Sequence, residues 1–61
     1  MIVLNWIFTN GHAWTKNFDS VDHAENYMYQ CAMLKNGAVD RVWIDTPTDQ
    51  IWIKEKATND H

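Results

Sequence analysis

The chain has little of the residues that bring covalent or metal chemistry to a protein. Its 61 residues include one cysteine and three histidines. A single cysteine excludes an internal disulfide, and no two Cys or His residues have the close spacing that is typical of a zinc site. We predict that Cys31 is a small buried hydrophobic residue rather than a reactive thiol. We expect neither a metal nor a cofactor.

Catalytic motifs are also missing. The two glycines do not form a phosphate-binding loop, because Gly11 is assigned to a turn and Gly37 to the end of a helix. Two carboxylate pairs are the candidates for acid–base chemistry: Asp45 with Asp49, and Asp40 with Glu55. A domain of this size has little room for the dry pocket that raises a carboxyl pKa. We therefore predict that the protein is not an enzyme.

The sequence lacks both an excess of basic residues and a long hydrophobic run. Eight acidic and five basic residues leave a formal net charge of -3, which disfavours indiscriminate attraction to nucleic acid or anionic lipid. The apolar segment at residues 1–8 carries no basic residue and is too short to span a bilayer. We expect a cytoplasmic protein with no membrane partner.

Aromatic residues, by contrast, are plentiful. Four Trp, two Tyr and two Phe make up 13% of the chain, and each buried aromatic side chain removes about 150–250 Å² from water. A domain of this size buries only about 60% of its unfolded surface, so bulky side chains are needed to build a core. We predict one domain over residues 1–56, followed by a frayed polar tail over residues 57–61.

One segment has the periodicity of an amphipathic helix. Apolar residues recur there at about 100° per residue, and Asp19 or Ser20 is suited to cap the first turn. Gly37 is suited to the left-handed conformation that closes a helix. We therefore predict one helix from Asp19 to Gly37. The apolar stripe contains Val21, Ala24, Met28, Cys31 and Ala32.

A hairpin is predicted before this helix. Residues 2–8 alternate as a half-buried strand does, and an Asn-Gly turn signal follows. A two-residue turn would pair Ile7 with Trp14 and divide the large side chains between the two faces. A three-residue loop with Gly11 in the left-handed region pairs Trp6 with Trp14 and places every large aromatic on one face. We favour this second register, because burying one more aromatic contributes about 2–3 kcal/mol.

A second hairpin is predicted after the helix, from residues 39–45 and 50–56 joined by a four-residue loop around Pro47. This loop length predicts two faces of different character. A β-branched patch is expected to pack on the helix: Val42, Ile44, Ile51 and Ile53. On the other face we expect Trp43 opposite Trp52 and Arg41 opposite Lys54, with Val39 and Lys56 at the border.

These elements predict an α+β fold of order ββαββ. The simplest arrangement is an antiparallel four-stranded sheet built from the two hairpins, with the helix packed on one face. The order of the strands within the sheet does not follow from the sequence.

Two features predict a binding surface. Indole rings on the face away from the helix would expose a large apolar area, and Trp and Arg are frequent interface anchors. Tyr29 and Met33 lie off the apolar stripe and, with nearby acidic residues, predict a second contact surface on the helix. The partner-binding residues that we predict are Arg41, Trp43, Trp52, Lys54, Tyr29 and Met33.

The leading functional hypothesis is a small non-enzymatic protein-binding module. Its size, tryptophan content and lack of catalytic groups are typical of accessory proteins of the phage or plasmid type that inhibit or modulate a larger host protein. One alternative is single-stranded nucleic-acid binding, with bases stacked on the indoles between cationic side chains. Another is a homodimer formed by sheet stacking. A purely structural alternative is that the Trp pair only stiffens its hairpin.

Overall fold

Residues 1–55 of the protein form a single antiparallel sheet with one helix. The computed structural model describes residues 1–55; Lys56 and the predicted tail at residues 57–61 lie outside the described residues. The elements are β1 (Ile2–Phe8), β2 (Ala13–Phe18), α1 (Val21–Gln30), β3 (Val39–Asp45) and β4 (Gln50–Lys54). The strand order is β2-β1-β3-β4, and all neighbouring strands are antiparallel. The predicted α+β fold is therefore confirmed, and β1 and β3 join the two hairpins at the centre of the sheet.

The first hairpin has the register that places the large side chains together. Trp6 pairs with Trp14, and the Phe8 amide donates to the His12 carbonyl at 2.8 Å. Gly11 closes the loop with a φ of 92°, a conformation that costs glycine little. The even-numbered residues of β1 consequently face the helix.

The core lies between the helix and this face of the sheet. The helix packs on β1 and β2, and seven hydrophobic residues are buried in one cluster. These residues are Leu4, Ala24, Met28, Met33, Val39, Val42 and Ile44. Burying a Leu, Met, Val or Ile side chain contributes about 1.5–3 kcal/mol, and partly buried aromatic residues of β1, β2 and α1 pack against the cluster.

The helix begins as predicted but ends early. Ser20 is the N-cap, and its hydroxyl accepts a hydrogen bond from the His23 amide at 3.2 Å. The last helical residue is Gln30, so the prediction of a helix that continues to Gly37 was wrong. Gly37 is not in the left-handed region.

A Schellman motif explains the early end. Ala32 takes the left-handed conformation, with a φ of 54°, and its amide donates to the Tyr29 carbonyl at 3.0 Å. The Met33 amide donates to the Met28 carbonyl at 3.2 Å. These two hydrogen bonds around a left-handed residue define the motif. Its usual signal is glycine, which is why the sequence did not indicate that the helix closes here.

The early end reverses three burial predictions. Cys31 is exposed rather than buried, because it is the C-cap residue and the helical periodicity stops there. Ala32 is also exposed. Met33 is buried, with only 4% of its surface accessible, because the chain turns back onto the sheet directly after Ala32.

The prediction of the second hairpin agrees with the structure near the loop and is wrong further from it. Trp43 pairs with Trp52 as predicted, and the Thr46 hydroxyl accepts a hydrogen bond from the Asp49 amide at 2.9 Å in the loop. A register shift beyond this pair sets Val42 opposite Lys54. The predicted pairs of Val42 with Ile53 and of Arg41 with Lys54 were therefore wrong.

Two further positions differ from the prediction. Ile51 is exposed rather than packed under the helix, because the helix lies over β1 and β2, at the other end of the sheet from β4. Val39 is buried in the core and does not border the Trp pair, since a second register shift pairs it with Phe8. Both differences depend on the sheet as a whole: the first on the strand order and the second on a shift in the register between β1 and β3.

Candidate docking surface on the open face of the sheet

The face of the sheet away from the helix has no covering element within residues 1–55. We call it the open face. Because side chains alternate along a strand, this face is formed by Val3, Asn5 and Ile7 of β1, Ala13, Thr15 and Asn17 of β2, Arg41, Trp43 and Asp45 of β3, and Gln50 and Trp52 of β4. Its central row crosses all four strands and runs Thr15, Asn5, Trp43 and Trp52.

A stacked pair of indoles dominates this surface. The ring centroids of Trp43 and Trp52 are 4.8 Å apart, and the ring planes are inclined by 28°. Such a contact contributes about 0.5–1.5 kcal/mol beyond the burial of area. Trp43 is half-buried on the central strand β3, whereas Trp52 on the edge strand is 44% exposed. The prediction that the two indoles lie together on the face away from the helix is confirmed.

The inner indole leaves a polar atom without a partner. Trp43 Nε1 is buried and has no hydrogen-bond acceptor among the described residues. A buried donor without an acceptor costs about 1–3 kcal/mol. An acceptor brought by a partner would remove this cost only if the indole turned to meet it.

A polar contact lies beside the indoles in the centre of the open face. Asn5 is only 7% exposed, and its side-chain amide donates to Asp45 Oδ2 at 2.9 Å and to the Val3 carbonyl at 3.2 Å. Asn5 is directly opposite Trp43 in the sheet, so this hydrogen-bonded amide lies against the indole pair and fixes the carboxylate of Asp45.

The charges of the open face are nearly balanced. Arg41 and Asp45 lie two residues to either side of Trp43 on β3 and therefore share its face. Arg41 is exposed and Asp45 is half-buried. The indole pair is thus bordered by a cation at one end and an anion at the other, which gives the surface a polarity along the strands.

Lys54 does not belong to this surface. Its side chain lies on the helix side of the sheet, and its amino group donates to the carbonyls of Asn36 at 3.1 Å and Met33 at 3.4 Å. The register shift at Val42 explains this position of Lys54, since one extra residue in β4 turns the next side chain to the other face. The prediction that Lys54 borders the indoles was therefore wrong.

The predicted helix surface is not formed either. Tyr29 is 62% exposed, but Met33 is buried in the core beneath the end of the helix. The two side chains therefore do not share one accessible patch. Sequence reasoning also missed Asn5, and it considered Asp45 only as a carboxylate paired with Asp49. Their pairing across β1 and β3 depends on the strand order.

Residues 1–55 contain no group of three or more His, Cys, Asp or Glu side chains that could hold a metal ion. No helix in this range is long and apolar enough to cross a membrane. No known protein family, curated protein or solved structure matches the chain.

Proposed function

We propose that this protein is a non-enzymatic protein-binding module that docks through the open face of its sheet. The single observation that carries the proposal is the stacked pair of Trp43 and Trp52, which leaves an indole 44% exposed on an uncovered sheet face. Exposed apolar patches on small proteins often mark interaction sites, and Trp and Arg are the residues most often found as hot spots.

The charge of the open face favours a protein partner over nucleic acid. Single-strand binding requires several cations along the phosphate path, between the stacked bases. With Lys54 on the helix side, Arg41 is the one cation that the described residues place on this face, and Asp45 balances it. A balanced surface with a central apolar pair resembles the usual composition of a protein interface.

Binding itself is the activity that we propose. Small accessory proteins of the phage or plasmid type act in this way, inhibiting or redirecting a larger protein by occupying part of its surface. This role agrees with a domain of 61 residues whose proposed contact area covers one entire sheet face.

The test compares two exposed tryptophans. We expect Trp52→Ala to abolish capture of the partner from a cell lysate, whether or not nuclease is present, because it removes the accessible half of the indole pair. Trp14→Ala is the matched control, since Trp14 is 55% exposed but lies on the helix side of the sheet. Both variants should retain the circular dichroism of the parent. Equal capture by both variants, or loss of capture on nuclease treatment alone, contradicts the proposal.

A homodimer is the second candidate, and one observation favours it. If two open faces stack with their strands antiparallel, Arg41 of each copy lies over Asp45 of the other, with Trp43 near the two-fold axis. The face is therefore complementary in charge to itself. We expect Arg41→Asp to weaken such a dimer and Arg41→Asp combined with Asp45→Arg to restore it, as measured by sedimentation at micromolar concentration. If the protein sediments as a monomer at all concentrations, the partner of the open face is a different protein.

A further inference from the structure

The two edges of the sheet are built differently. At the β4 edge, the register shift at Val42 distorts the strand, and the amino group of Lys54 ties it to the segment after the helix. Bulges and covering segments are devices that protect an edge from further strand pairing. The β2 edge, Ala13–Phe18, pairs with β1 in an unbroken register. This second edge is therefore open to another strand.

The register shows which backbone groups are available there. The hydrogen bond from the Phe8 amide to the His12 carbonyl makes this a hydrogen-bonded pair. In an antiparallel pair the orientation alternates with each residue. The amides and carbonyls of Ala13, Thr15 and Asn17 consequently point away from β1, where an extended segment can bond to them.

A groove runs along the same edge on the helix side. It is shallow and widely open to solvent, has a volume of about 430 Å³ and lies between β2 and α1. Its lining includes Lys16, Phe18, His23, Asn26, Tyr27 and Gln30. A segment paired with β2 would direct every second side chain into this groove. An extended segment at this edge could therefore bond to the β2 backbone and place side chains in the groove at the same time.

Asp19 lies at one end of the groove lining, and Lys16 is the cation beside its aromatic rings. Its amino group lies 5.5 Å from the centroid of the Tyr27 ring and 5.9 Å from that of Phe18, within the range of cation–π attraction. No carboxylate of residues 1–55 forms a salt bridge with it, and its neighbour on β1 is the apolar Leu4. The position across from Lys16 on the open edge is therefore suited to an acidic side chain.

We propose that β2 and α1 form a binding groove for an extended acidic peptide segment, which adds to β2 as an antiparallel fifth strand. An acidic residue of the peptide lies across from Lys16, and an apolar residue two positions earlier lies across from Phe18 and against Tyr27. Asp19 follows Phe18 at the end of the groove and disfavours a second acidic residue there. This site uses the outer backbone edge of β2 and the helix side of the sheet rather than the indole pair, so the proposal does not depend on the function proposed above.

The probe is the peptide acetyl-Ser-Leu-Thr-Glu-Thr-Val-Ser-amide, titrated into the full chain and followed by NMR. We expect the amides of Ala13, Thr15 and Asn17 to become protected from hydrogen exchange, since they gain acceptors. A peptide with Lys in place of Glu should bind roughly five- to tenfold more weakly, because attraction to Lys16 becomes repulsion. N-methylation of the second Thr should abolish protection, because it removes the backbone donor across from Thr15.

Variants of the protein test the charge preference. Lys16→Glu should reverse it, so that the Lys-containing peptide binds more tightly than the Glu-containing one. Lys35→Glu is the matched control, since Lys35 is exposed and does not line this groove, and it should leave the preference unchanged. The proposal is overturned if the three amides remain unprotected at millimolar peptide, if Lys16→Glu and Lys35→Glu act alike, or if the edge is protected without peptide by a second copy of the chain.

Discussion

At the scale of single residues, Tyr27 and Cys31 form a pair one helical turn apart. The hydrogen bond with Cys31 raises the pKa of Tyr27 above its ordinary value of 10.0, and the charge of Cys31 and burial act in the same direction. A raised pKa means that the folded state retains the phenolic proton after the unfolded chain has lost it. This contribution to stability is complete below pH 10 and is lost as the pH rises through the folded-state pKa.

We therefore expect the free energy of unfolding to fall as the pH rises above about 10. In Tyr27→Phe the fall should be smaller, whereas Tyr29→Phe, the control, should behave like the parent. Cys31→Ala should return the pKa of Tyr27 toward 10.0, as measured by ultraviolet titration of tyrosinate. An unchanged titration in Cys31→Ala would show that the thiol is not the cause.

The exposure of Cys31 leads to a second prediction. An accessible thiol reacts with a disulfide reagent without prior unfolding, at a rate set by its thiolate fraction. We expect stoichiometric modification of the native protein in the absence of denaturant, because Cys31 is exposed. Reaction that begins only in denaturant would place the thiol in the core instead.

At the scale of elements, the end of the helix is the most informative feature. Ala32 holds a left-handed conformation that costs a non-glycine residue about 1–2 kcal/mol. Gly37 has no such requirement, and a Cβ atom added to it would have no other atom within 4 Å. Position 32 is therefore better suited to glycine, and position 37 is better suited to alanine.

We accordingly expect Ala32→Gly to raise the free energy of unfolding by up to about 1 kcal/mol, and Gly37→Ala to raise it by about 0.4–1 kcal/mol through the unfolded state. Gly11→Ala should lower the free energy of unfolding, because a residue with a side chain is strained at the φ of 92° that Gly11 adopts. Urea denaturation measures all three. A loss of stability in Ala32→Gly would mean that flexibility in the unfolded chain outweighs relief of the left-handed conformation.

Elements with a strong local signal could be predicted from the sequence. The loop at Gly11 fixes the first hairpin, and the loop at Pro47 fixes the pairs nearest to it, including Trp43 with Trp52. The register shift at Val42 has no such signal, because it arises where the edge strand meets the segment after the helix. That one shift moved Lys54 out of the predicted site.

At the scale of the whole molecule, the domain depends on a small core. A protein of this length has a stability of about 3–9 kcal/mol by the usual contribution per residue. Met28 is completely buried, and its truncation to alanine costs about 2–5 kcal/mol. We expect Met28→Ala to lower the free energy of unfolding by about 2–5 kcal/mol, as measured by urea denaturation followed by circular dichroism. Trp52→Ala should remain folded, and an unfolded Trp52→Ala would assign the indole pair a structural role.

The strand order is the property of the whole molecule that the sequence did not supply. Placing β1 beside β3 brings Asn5 against Asp45 and Trp43, and so determines the composition of the open face. The order also leaves β2 as an edge. Local patterns specify each hairpin, but the pairing of β1 with β3 that joins the two hairpins has no local signal in the sequence.

One strand belongs to both surfaces. Ala13, Thr15 and Asn17 present their side chains to the open face and their backbone groups to the free edge, so an occupant of either place meets the same residues. Two such occupants are thermodynamically linked: whichever arrives first alters the affinity for the other, by an equal factor in both directions. In a molecule of 61 residues, binding at the open face would thereby depend on whether the β2 edge is occupied.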